Sequence, residues 1–310
     1  MSGAAPAEPT APLAAGEPFD ERDGVIWLDG GFVPWRAARL HVLSHGLHYA
    51  TSVFEGERVY DGVVFKLHEH SERLCASARE LGFELPWSAT ELDRATRALV
   101  RAQHLRDAYV RPLAWCGTET MSVSPRGARV HVAIAAWPWP HVFAPEAQLR
   151  GVRLATARWR RPPPDTAPVR AKGAATYATG ALARQAAERA GYDDALLLDH
   201  RGLLAEATGA NLFLVIDGAL HTPVPDCFLD GITRRTVIAA AGRLGIRVHE
   251  RPIAPAELDR ASEVFLTGTA YEVQPVRAID DRVFPVGGLG ATLLRDYQDT
   301  VAAATAGADR

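Results

Sequence analysis

The segment A-P-V-R-A-K-G-A-A-T-Y, residues 167–177, contains Lys172, one of only two lysines in a chain of 310 residues. The other is Lys66, so arginine accounts for 32 of the 34 basic residues. Guanidinium groups stay protonated in proteins, whereas an ε-amine can lose its proton and attack a carbonyl to form a Schiff base. Small residues flank Lys172 and would leave room for a bulky partner on the amine. The segment alone is compatible with a catalytic lysine or with an ordinary surface lysine.

The composition is that of a globular protein, with 47% apolar and 23% charged residues. A net charge of −3 provides no electrostatic footprint for nucleic acid or an anionic membrane. We find no apolar run that approaches the roughly 18 residues needed to span a bilayer. The three cysteines, Cys75, Cys116 and Cys227, are odd in number and widely spaced, which is typical of buried thiols in a reducing cytoplasm.

The length predicts two domains. We predict a disordered tail over residues 1–24, a small α+β domain over 25–137, a proline-containing linker over 138–148 and a larger domain over 149–310. Paired strands followed by helices, without strict βαβ alternation, indicate the α+β class. The glycine-rich stretch at 287–290 is not interpreted as a nucleotide loop, because we predict no strand–helix unit around it.

Turn and capping signals divide the chain into short elements. V-I-W-L at 25–28 and F-V-P-W at 32–35 predict a hairpin, and Asp61-Gly62 predicts a second hairpin whose later strand includes Lys66. A helix is expected over 68–81, and Ser88 with Glu91 predicts a capping box at the start of the next helix. Further strands are predicted at 109–116, 130–137, 152–157, 195–198, 212–216, 219–221 and 263–267, a loop at 160–168, and helices at 177–190, at 231–244 and, briefly, after Pro255.

Four segments besides Lys172 carry residues suited to binding. Glu206, between apolar strands, could point into a cleft or be an exposed strand-end acid. The stretches D-G-I-T-R-R-T-V, which opens a helix, and T-G-T-A, which ends a strand, supply the small residues and backbone N–H groups that bind phosphate. Tyr109 and Arg111 alternate on one face of a strand, where they could be site residues or ordinary half-buried side chains.

Six segments, in this order, resemble the bacterial branched-chain amino acid aminotransferases, which are fold-type IV enzymes dependent on pyridoxal 5′-phosphate. The resemblance covers roughly residues 25–285 and implies a two-domain α+β fold, a small domain plus a larger mixed-sheet domain. It also implies a homodimer or higher homo-oligomer. The segments are S-H-G-L-H-Y-A-T-S-V-F-E-G at 44–56, Y-V-R-P at 109–112, A-K-G-A-A-T-Y at 171–177, E-A-T-G-A-N-L-F at 206–213, G-I-T-R at 231–234 and E-V-F-L-T-G-T-A at 263–270.

By that resemblance, Lys172 would hold pyridoxal phosphate as a Schiff base and act as the general acid and base. Glu206 would keep the pyridine nitrogen protonated, and Tyr177 would donate a hydrogen bond to the ring hydroxyl. The residues expected at the phosphate are Arg73, Ile232, Thr233 and Thr269. Asp230 would repel a phosphate, so we expect it to face away.

The same resemblance predicts a substrate site for L-leucine, L-isoleucine or L-valine and for 2-oxoglutarate or glutamate. Tyr109, with backbone groups at Thr269 and Ala270, would hold the α-carboxylate. Arg111, with Arg58 nearby, would accept the distal carboxylate. The apolar wall would consist of Tyr49, Phe54 and Tyr177.

Two residues depart from the family pattern. Glu57 could neutralise Arg58 if both faced inward, although strand alternation should separate them. Tyr271 is bulkier than the alanine that the resemblance leads us to expect, and could crowd the site.

Other functions remain open at this point. A D-amino acid or amine transaminase, or an aminodeoxychorismate lyase, would share the fold, although Arg111 argues against them. A non-catalytic module that retains the fold is a further alternative. We predict no metal site at His41, His45 and His48, because the flanking residues look like loop and strand and no carboxylate completes a site.

Overall fold

The computed structural model describes residues 18–139, 148 and 150–306, and the chain divides into two compact units. Within the described residues, the first unit comprises 18–139, 170–176 and 300–306, and the second comprises 148, 150–169 and 177–299. The segment with Lys172 therefore groups with the N-terminal strands. Most of the predicted linker and residues 1–17 of the predicted tail lie outside the described residues, so those boundaries stay predictions.

The first unit is built on a seven-stranded sheet with the order β2-β1-β7-β6-β4-β5, in which β3 also pairs with β6. All of its strand pairs are antiparallel. The predicted first hairpin is confirmed. The strands are Val25–Leu28 (β1), Gly31–Pro34 (β2), Ser52–Phe54 (β3), Glu57–Tyr60 (β4), Val63–Val64 (β5), Ala108–Cys116 (β6) and Val130–Pro138 (β7).

Two helices, Leu67–Glu80 (α2) and Ala89–Ala102 (α3), pack against one face of this sheet, with Leu74 and Leu99 in the shared core. The Ser88–Glu91 capping box is present. The prediction that Lys66 lies in a strand is wrong: its φ of 54° is left-handed, and it is the N-cap residue of α2. The expectation of loop or strand around His45 is also wrong, because His45–Tyr49 (α1) is a short helix.

The second unit contains a nine-stranded mixed sheet with the order β10-β9-β8-β15-β14-β11-β12-β13, and β16 also pairs with β15. The pairs β8–β9, β8–β15 and β12–β13 are parallel. Four strands were not predicted: β10, β13, β15 and β16. The strands are Val152–Arg161 (β8), Asp194–Asp199 (β9), Leu204–Ala207 (β10), Asn211–Ile216 (β11), Ala219–Thr222 (β12), Val248–Glu250 (β13), Glu263–Gly268 (β14), Glu272–Ile279 (β15) and Arg282–Val283 (β16).

Three longer helices complete the fold: Ala174–Arg189 (α4), Ile232–Arg243 (α5) and Gly288–Ala306 (α6). A 3₁₀ helix, Pro255–Arg260, occupies the short helix predicted after Pro255. The prediction that no strand–helix unit surrounds the glycines at 287–290 is wrong, because β16 and α6 flank them. The backbone N–H groups of Leu289 and Gly290 each donate to the Glu263 carboxylate at 3.0 Å, so a side chain of the protein already binds this helix start.

Helices and largely antiparallel sheets confirm the α+β class. Across the part of the chain that the structure describes, every helix is too short or too polar to cross a membrane.

Candidate active site

Lys172 is anchored through its backbone to the first unit. Its N–H donates to Ser77 Oγ at 3.0 Å, and its carbonyl accepts from the Phe54 N–H at 3.1 Å. The next residue, Gly173, forms an antiparallel bridge with Val53 on β3. The half-buried side chain places Nζ 4.9 Å from the centre of the Phe54 ring. Lys172 is therefore held at a fixed place on the sheet, which a mobile surface lysine would not be.

Two arginines and a tyrosine share the sheet face that Phe54 presents. Arg111 Cζ lies 4.8 Å from the centre of the Phe54 ring and 5.3 Å from that of Tyr109. Its Nη2 donates to the Tyr109 hydroxyl at 3.4 Å. Arg58, on β4, is the direct cross-strand partner of Tyr109 on β6. Strand pairing therefore brings together the predicted substrate residues Phe54, Arg58, Tyr109 and Arg111, with the Lys172 amine beside them.

Arg58 is buried and Arg111 is half-buried, and both guanidinium groups retain hydrogen-bonding capacity. Arg58 is only 3% exposed, and its Nε and Nη1 have no hydrogen-bond partner among the described residues. The same holds for Nε of Arg111. A buried cationic donor without an acceptor is costly, because it has lost water and gained nothing in exchange. This face therefore offers cationic donors of the kind that bind carboxylates.

Gly56 determines where the Tyr109 side chain can lie. A Cβ atom built on Gly56 would collide with the Tyr109 hydroxyl. Any side chain at position 56 would push the ring away from Arg111. The glycine is needed for this close approach rather than for an unusual backbone angle.

On α2, Arg73 is fixed by a fully buried acid. Its Nε and Nη2 donate to the two oxygens of Glu55, at 2.6 and 2.9 Å, and His70 Nδ1 lies 2.7 Å from Glu55 Oε2. Burial works against ionisation of Glu55, but the charges and hydrogen bonds of Arg73 and His70 prevail and hold its pKa far below the usual value. The pKa of His70 is lowered, chiefly by its burial. Arg73 is thus a clamped side chain and not a solvated one.

Glu57 does not neutralise Arg58. Its carboxyl oxygens are buried without a hydrogen-bond partner among the residues that the structure covers. Burial, and then the nearby acids Glu55 and Asp93, raise its pKa well above the usual value. The charges that act on Glu57 include those of Arg73 on α2 and Asp93 on α3, so its side chain lies on the sheet face that these helices cover. Strand alternation therefore places Arg58 on the opposite face.

In the second unit, Glu206 is buried on β10, so the alternative of an exposed strand-end acid is wrong. Arg161 Nη2 lies 2.7 Å from Glu206 Oε1, and both side chains are 9% exposed. Asn211 Nδ2 donates to the other oxygen at 3.4 Å. Sequence reasoning missed both partners. It placed Arg161 in a loop, whereas β8 continues to it, and only the pairing of strands distant in sequence reveals the contact.

The start of α5 is coupled to the same acid through Asn211. The Gly231 N–H donates to Asn211 Oδ1 at 3.2 Å, and Asn211 Nδ2 donates to the Leu229 carbonyl at 2.9 Å. Gly231 is the N-cap residue and has no side chain to bind the first-turn N–H groups, which include those of Ile232 and Thr233. A helix start of this kind favours anions. Asp230 precedes the cap and accepts from Arg234 Nη1 at 2.8 Å.

The remaining predicted residues of this unit lie at turns. Thr269 and Ala270 are half-buried in the turn between β14 and β15, and Tyr177 is half-buried in the first turn of α4. The Tyr271 hydroxyl donates to Asp194 Oδ2 at 2.9 Å, so this side chain is turned toward a buried acid of its own unit.

The histidines considered for a metal make ordinary hydrogen bonds. His45 lies 2.7 Å from Thr51 Oγ1 and 2.8 Å from the Ser122 carbonyl, and His48 lies 2.8 Å from the Val42 carbonyl.

A different group with suitable spacing, within the described ranges, is Asp199, His200 and Cys227. Asp199 already accepts from the Arg201 side chain at 2.8 Å. Burial raises the pKa of Cys227 to about 12, so its thiol stays protonated.

Comparison with known proteins identifies the class to which this arrangement belongs. Residues 52–279 match the family model "Amino-transferase class IV", and the chain belongs to that family. A probable branched-chain-amino-acid aminotransferase of Rickettsia felis is 44% identical over 255 residues, covering 82% of this chain and 87% of that protein. The branched-chain-amino-acid aminotransferase of Pseudomonas aeruginosa is 40% identical over 292 residues, covering 92% and 95%.

Solved structures give the same result. A branched-chain amino acid aminotransferase from the organism abbreviated T.th., solved with pyridoxamine 5′-phosphate, is 41% identical, with a TM-score of 0.87, and the match covers 90% of this chain and 94% of that one. The same enzyme has been solved with N-(5′-phosphopyridoxyl)-L-glutamate, at a TM-score of 0.86 and 41% identity over 91% and 95% of the chains. The predicted family and two-domain α+β fold are confirmed.

Proposed function

We propose that this protein is a branched-chain L-amino acid aminotransferase that uses pyridoxal 5′-phosphate and transfers the amino group of leucine, isoleucine or valine to 2-oxoglutarate. The observation that carries the proposal is the face on which the Lys172 amine, Phe54 and Tyr109 lie together with two arginines, the buried Arg58 and the half-buried Arg111. On this face, an amine that can bind a carbonyl carbon lies beside an apolar ring and beside hydrogen-bond donors for carboxylates. The resemblance of nearly the whole chain to branched-chain aminotransferases supports the same function.

The residues present fit pyridoxal phosphate. Lys172 would bind its aldehyde carbon, Glu206 its pyridine nitrogen and Tyr177 its ring hydroxyl. Arg73, Thr269 and the first-turn N–H groups of Ile232 and Thr233 would bind its phosphate. When bound, the group supplies a ring that accepts the electrons released as the substrate Cα–H bond breaks.

The protein's own residues would supply the proton transfers and the charge balance. The Lys172 amine, once released, takes the proton from the substrate Cα as a general base and later returns one as a general acid. Glu206 would hold a proton on the ring nitrogen, and Arg161 gives the Glu206 carboxylate a cationic partner at 2.7 Å. Losing one partner of such a buried ionic pair costs about 3–5 kcal/mol.

Two kinds of substrate would use the same face. Arg111 and Arg58 would accept the distal carboxylate of 2-oxoglutarate, and Phe54 would pack against a branched apolar side chain. An apolar wall without these donors would leave a buried carboxylate unpaired, at a prohibitive cost. The T.th. enzyme has been solved with a glutamate adduct and also with 4-methylvaleric acid, which is the same pairing of ligands.

A homodimer or larger homo-oligomer forms part of the proposal. Tyr49 is 41% exposed and donates to the Met121 carbonyl at 3.2 Å, which joins two surface segments of the first unit. Several apolar side chains of these segments are exposed, and we propose that a second copy of the chain covers them. Tyr49 would then form part of the apolar wall of the neighbouring subunit's site. The exposed residues are Leu40, Val42, Leu43, Leu47, Tyr49, Met121 and Val123. The three free cysteines are compatible with the cytoplasm, which we propose as the compartment.

The test is a panel of amino donors with 2-oxoglutarate as acceptor, followed through the absorption of the bound cofactor. L-leucine, L-isoleucine and L-valine should bleach the cofactor band, and 2-oxoglutarate should restore it. A response to D-leucine alone would favour a D-amino acid transaminase. A protein that remains colourless after addition of pyridoxal phosphate would favour a non-catalytic module.

A further inference from the structure

The side chain of Tyr271 closes the turn that follows β14. Its backbone N–H donates to the Gly268 carbonyl at 3.0 Å, and its ring lies over two glycines. A Cβ atom on Gly268 would be 3.3 Å from the ring Cδ2, and one on Gly209 would be 3.4 Å from the hydroxyl oxygen. The ring therefore packs directly on the backbone of both turns, 268–271 and 207–211.

The hydroxyl group of Tyr271 belongs to a buried hydrogen-bond network. It donates to Asp194 Oδ2 at 2.9 Å, and Asp194 itself is 0% exposed. Thr208, in the 207–211 turn, donates to the other oxygen of Asp194 at 2.5 Å. Arg184 Nη1 on α4 donates to the Tyr271 oxygen at 3.2 Å and lies 3.5 Å from Asp194 Oδ2.

The electrostatics of this network fix the direction of its hydrogen bonds. Burial, and then the Asp194 carboxyl, raise the pKa of Tyr271 far above its usual value, so the phenol stays protonated and is the donor. Burial opposes the charge of Arg184, but Asp194 raises the pKa of the guanidinium, which keeps it ionised. Burial also raises the pKa of the Asp194 carboxyl, and the charge of Arg184 and the hydrogen bonds of Thr208 and Tyr271 act against that rise.

The three segments that meet at Tyr271 each adjoin a residue of the proposed site. The 268–271 turn contains Thr269 and Ala270. The 207–211 turn begins directly after Glu206. Helix α4 has Tyr177 in its first turn and Arg184 two turns later.

We propose that Tyr271 is a positioning residue of the aminotransferase: through Asp194 it fixes the Thr269–Ala270 turn against the strand that carries Glu206. The inference rests on the proposed function, in which that turn binds the cofactor phosphate and the substrate carboxylate. It also reverses the expectation from sequence that Tyr271 crowds the site. The hydroxyl group acts away from the substrate, and its role is to hold backbone donors in register.

The test is Tyr271→Phe, which removes only the hydroxyl and keeps the packed ring. One lost hydrogen bond should raise KM for both L-leucine and 2-oxoglutarate and speed the release of pyridoxal phosphate, each by about 2- to 10-fold. The melting temperature of the cofactor-free protein should also fall, because the buried Asp194 carboxyl loses a donor, whereas Tyr192→Phe should leave KM and cofactor release unchanged. That control makes the same change in a half-buried ring of this unit, on which the Arg153 guanidinium stacks.

A second variant tests the route through Asp194. In Thr208→Val/Tyr271→Phe, the rise in KM should be no larger than that of the more affected single variant, because both changes break one network. Full additivity of the two effects would overturn the inference. So would a Tyr271→Phe enzyme with unchanged KM and cofactor release, or one whose defects appear equally in Tyr192→Phe. An active parent chain with an unaffected Tyr271→Phe variant overturns this inference alone, whereas an inactive parent chain overturns the proposed function and this inference together.

Discussion

Arg161 Nη2 and Glu206 Oε1 are 2.7 Å apart inside the second unit, and only 9% of either side chain is exposed. In the proposed site, Glu206 carries the charge that keeps the ring nitrogen of the cofactor protonated. The ion pair gives a carboxylate in a buried strand a cationic partner within its own unit. If Glu206 acts as proposed, Arg161, which the sequence did not single out, is the residue that supports its charge.

The ion pair predicts the outcome of a double-mutant cycle. Arg161→Met should lower the free energy of unfolding of the cofactor-free protein by about 3–5 kcal/mol, because it leaves a buried charge uncompensated. The double variant Arg161→Met/Glu206→Met should recover much of that loss. Urea unfolding followed by circular dichroism measures both. Arg160→Met, on the exposed side of the same strand, is the control. A double variant as unstable as the sum of its two parents would show that the pair is not coupled.

The buried Glu57 predicts an unusual dependence of stability on pH. Its pKa in the folded protein lies well above the usual value for a glutamate, because of its burial and the neighbouring acids. Its contribution to stability is therefore fully present below the unfolded-state pKa and is lost as the pH rises through the folded-state pKa. Glu57→Gln should stabilise the protein at neutral and higher pH and weaken the fall of stability with rising pH.

Unfolding in urea across the range from mildly acidic to mildly alkaline pH would measure this effect of Glu57→Gln. Glu80→Gln is the matched control, since Glu80 is exposed on α2. If the free energy of unfolding of Glu57→Gln depended on pH as that of the parent does, Glu57 would not be a cause of the fall in stability with rising pH.

Gly56 should tolerate no side chain while Tyr109 keeps its hydroxyl. Gly56→Ala should raise KM for both substrates and lower the melting temperature, because the new methyl group collides with the Tyr109 oxygen. Tyr109→Phe in the same chain should restore part of the melting temperature, but not the KM. Gly242→Ala, a helix position with open space around it, should instead stabilise the protein by about 0.5–1 kcal/mol. Failure of Tyr109→Phe to rescue stability would exclude this collision as the cause.

Arg111 should discriminate between the two substrates. Arg111→Met removes a charged donor for the distal carboxylate, worth about 1.5–3 kcal/mol, so KM for 2-oxoglutarate should rise about 10- to 100-fold. KM for L-leucine should change by less than about 3-fold, because an apolar side chain makes no use of that donor. Arg106→Met, at an exposed site just before the same strand, is the control. Equal increases for leucine and 2-oxoglutarate would place Arg111 at a group that both share.

The sequence predicted those features of the fold that depend on residues close together in the chain. The Ser88–Glu91 capping box, the first hairpin and the two-residue alternation of Tyr109 and Arg111 all depend on near neighbours in the chain. The family resemblance added the cofactor residues, which no spacing rule would have supplied.

The features that the sequence did not predict depend on tertiary contacts. Strand β15 contains Pro275, Glu272 and Gln274 and shows no apolar alternation, yet it pairs with β14 on one side and β8 on the other. Pro275 is tolerated because the pairing to β8 begins only at Val276. Arg161 as the partner of Glu206, and Asp194 as the partner of Tyr271, could not be predicted for the same reason: each comes from a strand far away in the sequence.

Whether Lys172 binds the cofactor is tested by locating the residue to which the cofactor is covalently attached. The protein is loaded with pyridoxal phosphate, reduced with borohydride, digested and analysed by peptide mass spectrometry. The pyridoxyl group should be found on Lys172, should persist in Lys66→Ala and should be absent from Lys172→Ala, which should also lose transamination of L-leucine. A group attached at Lys66, or full activity in Lys172→Ala, would show that Lys172 is not the lysine that binds the cofactor.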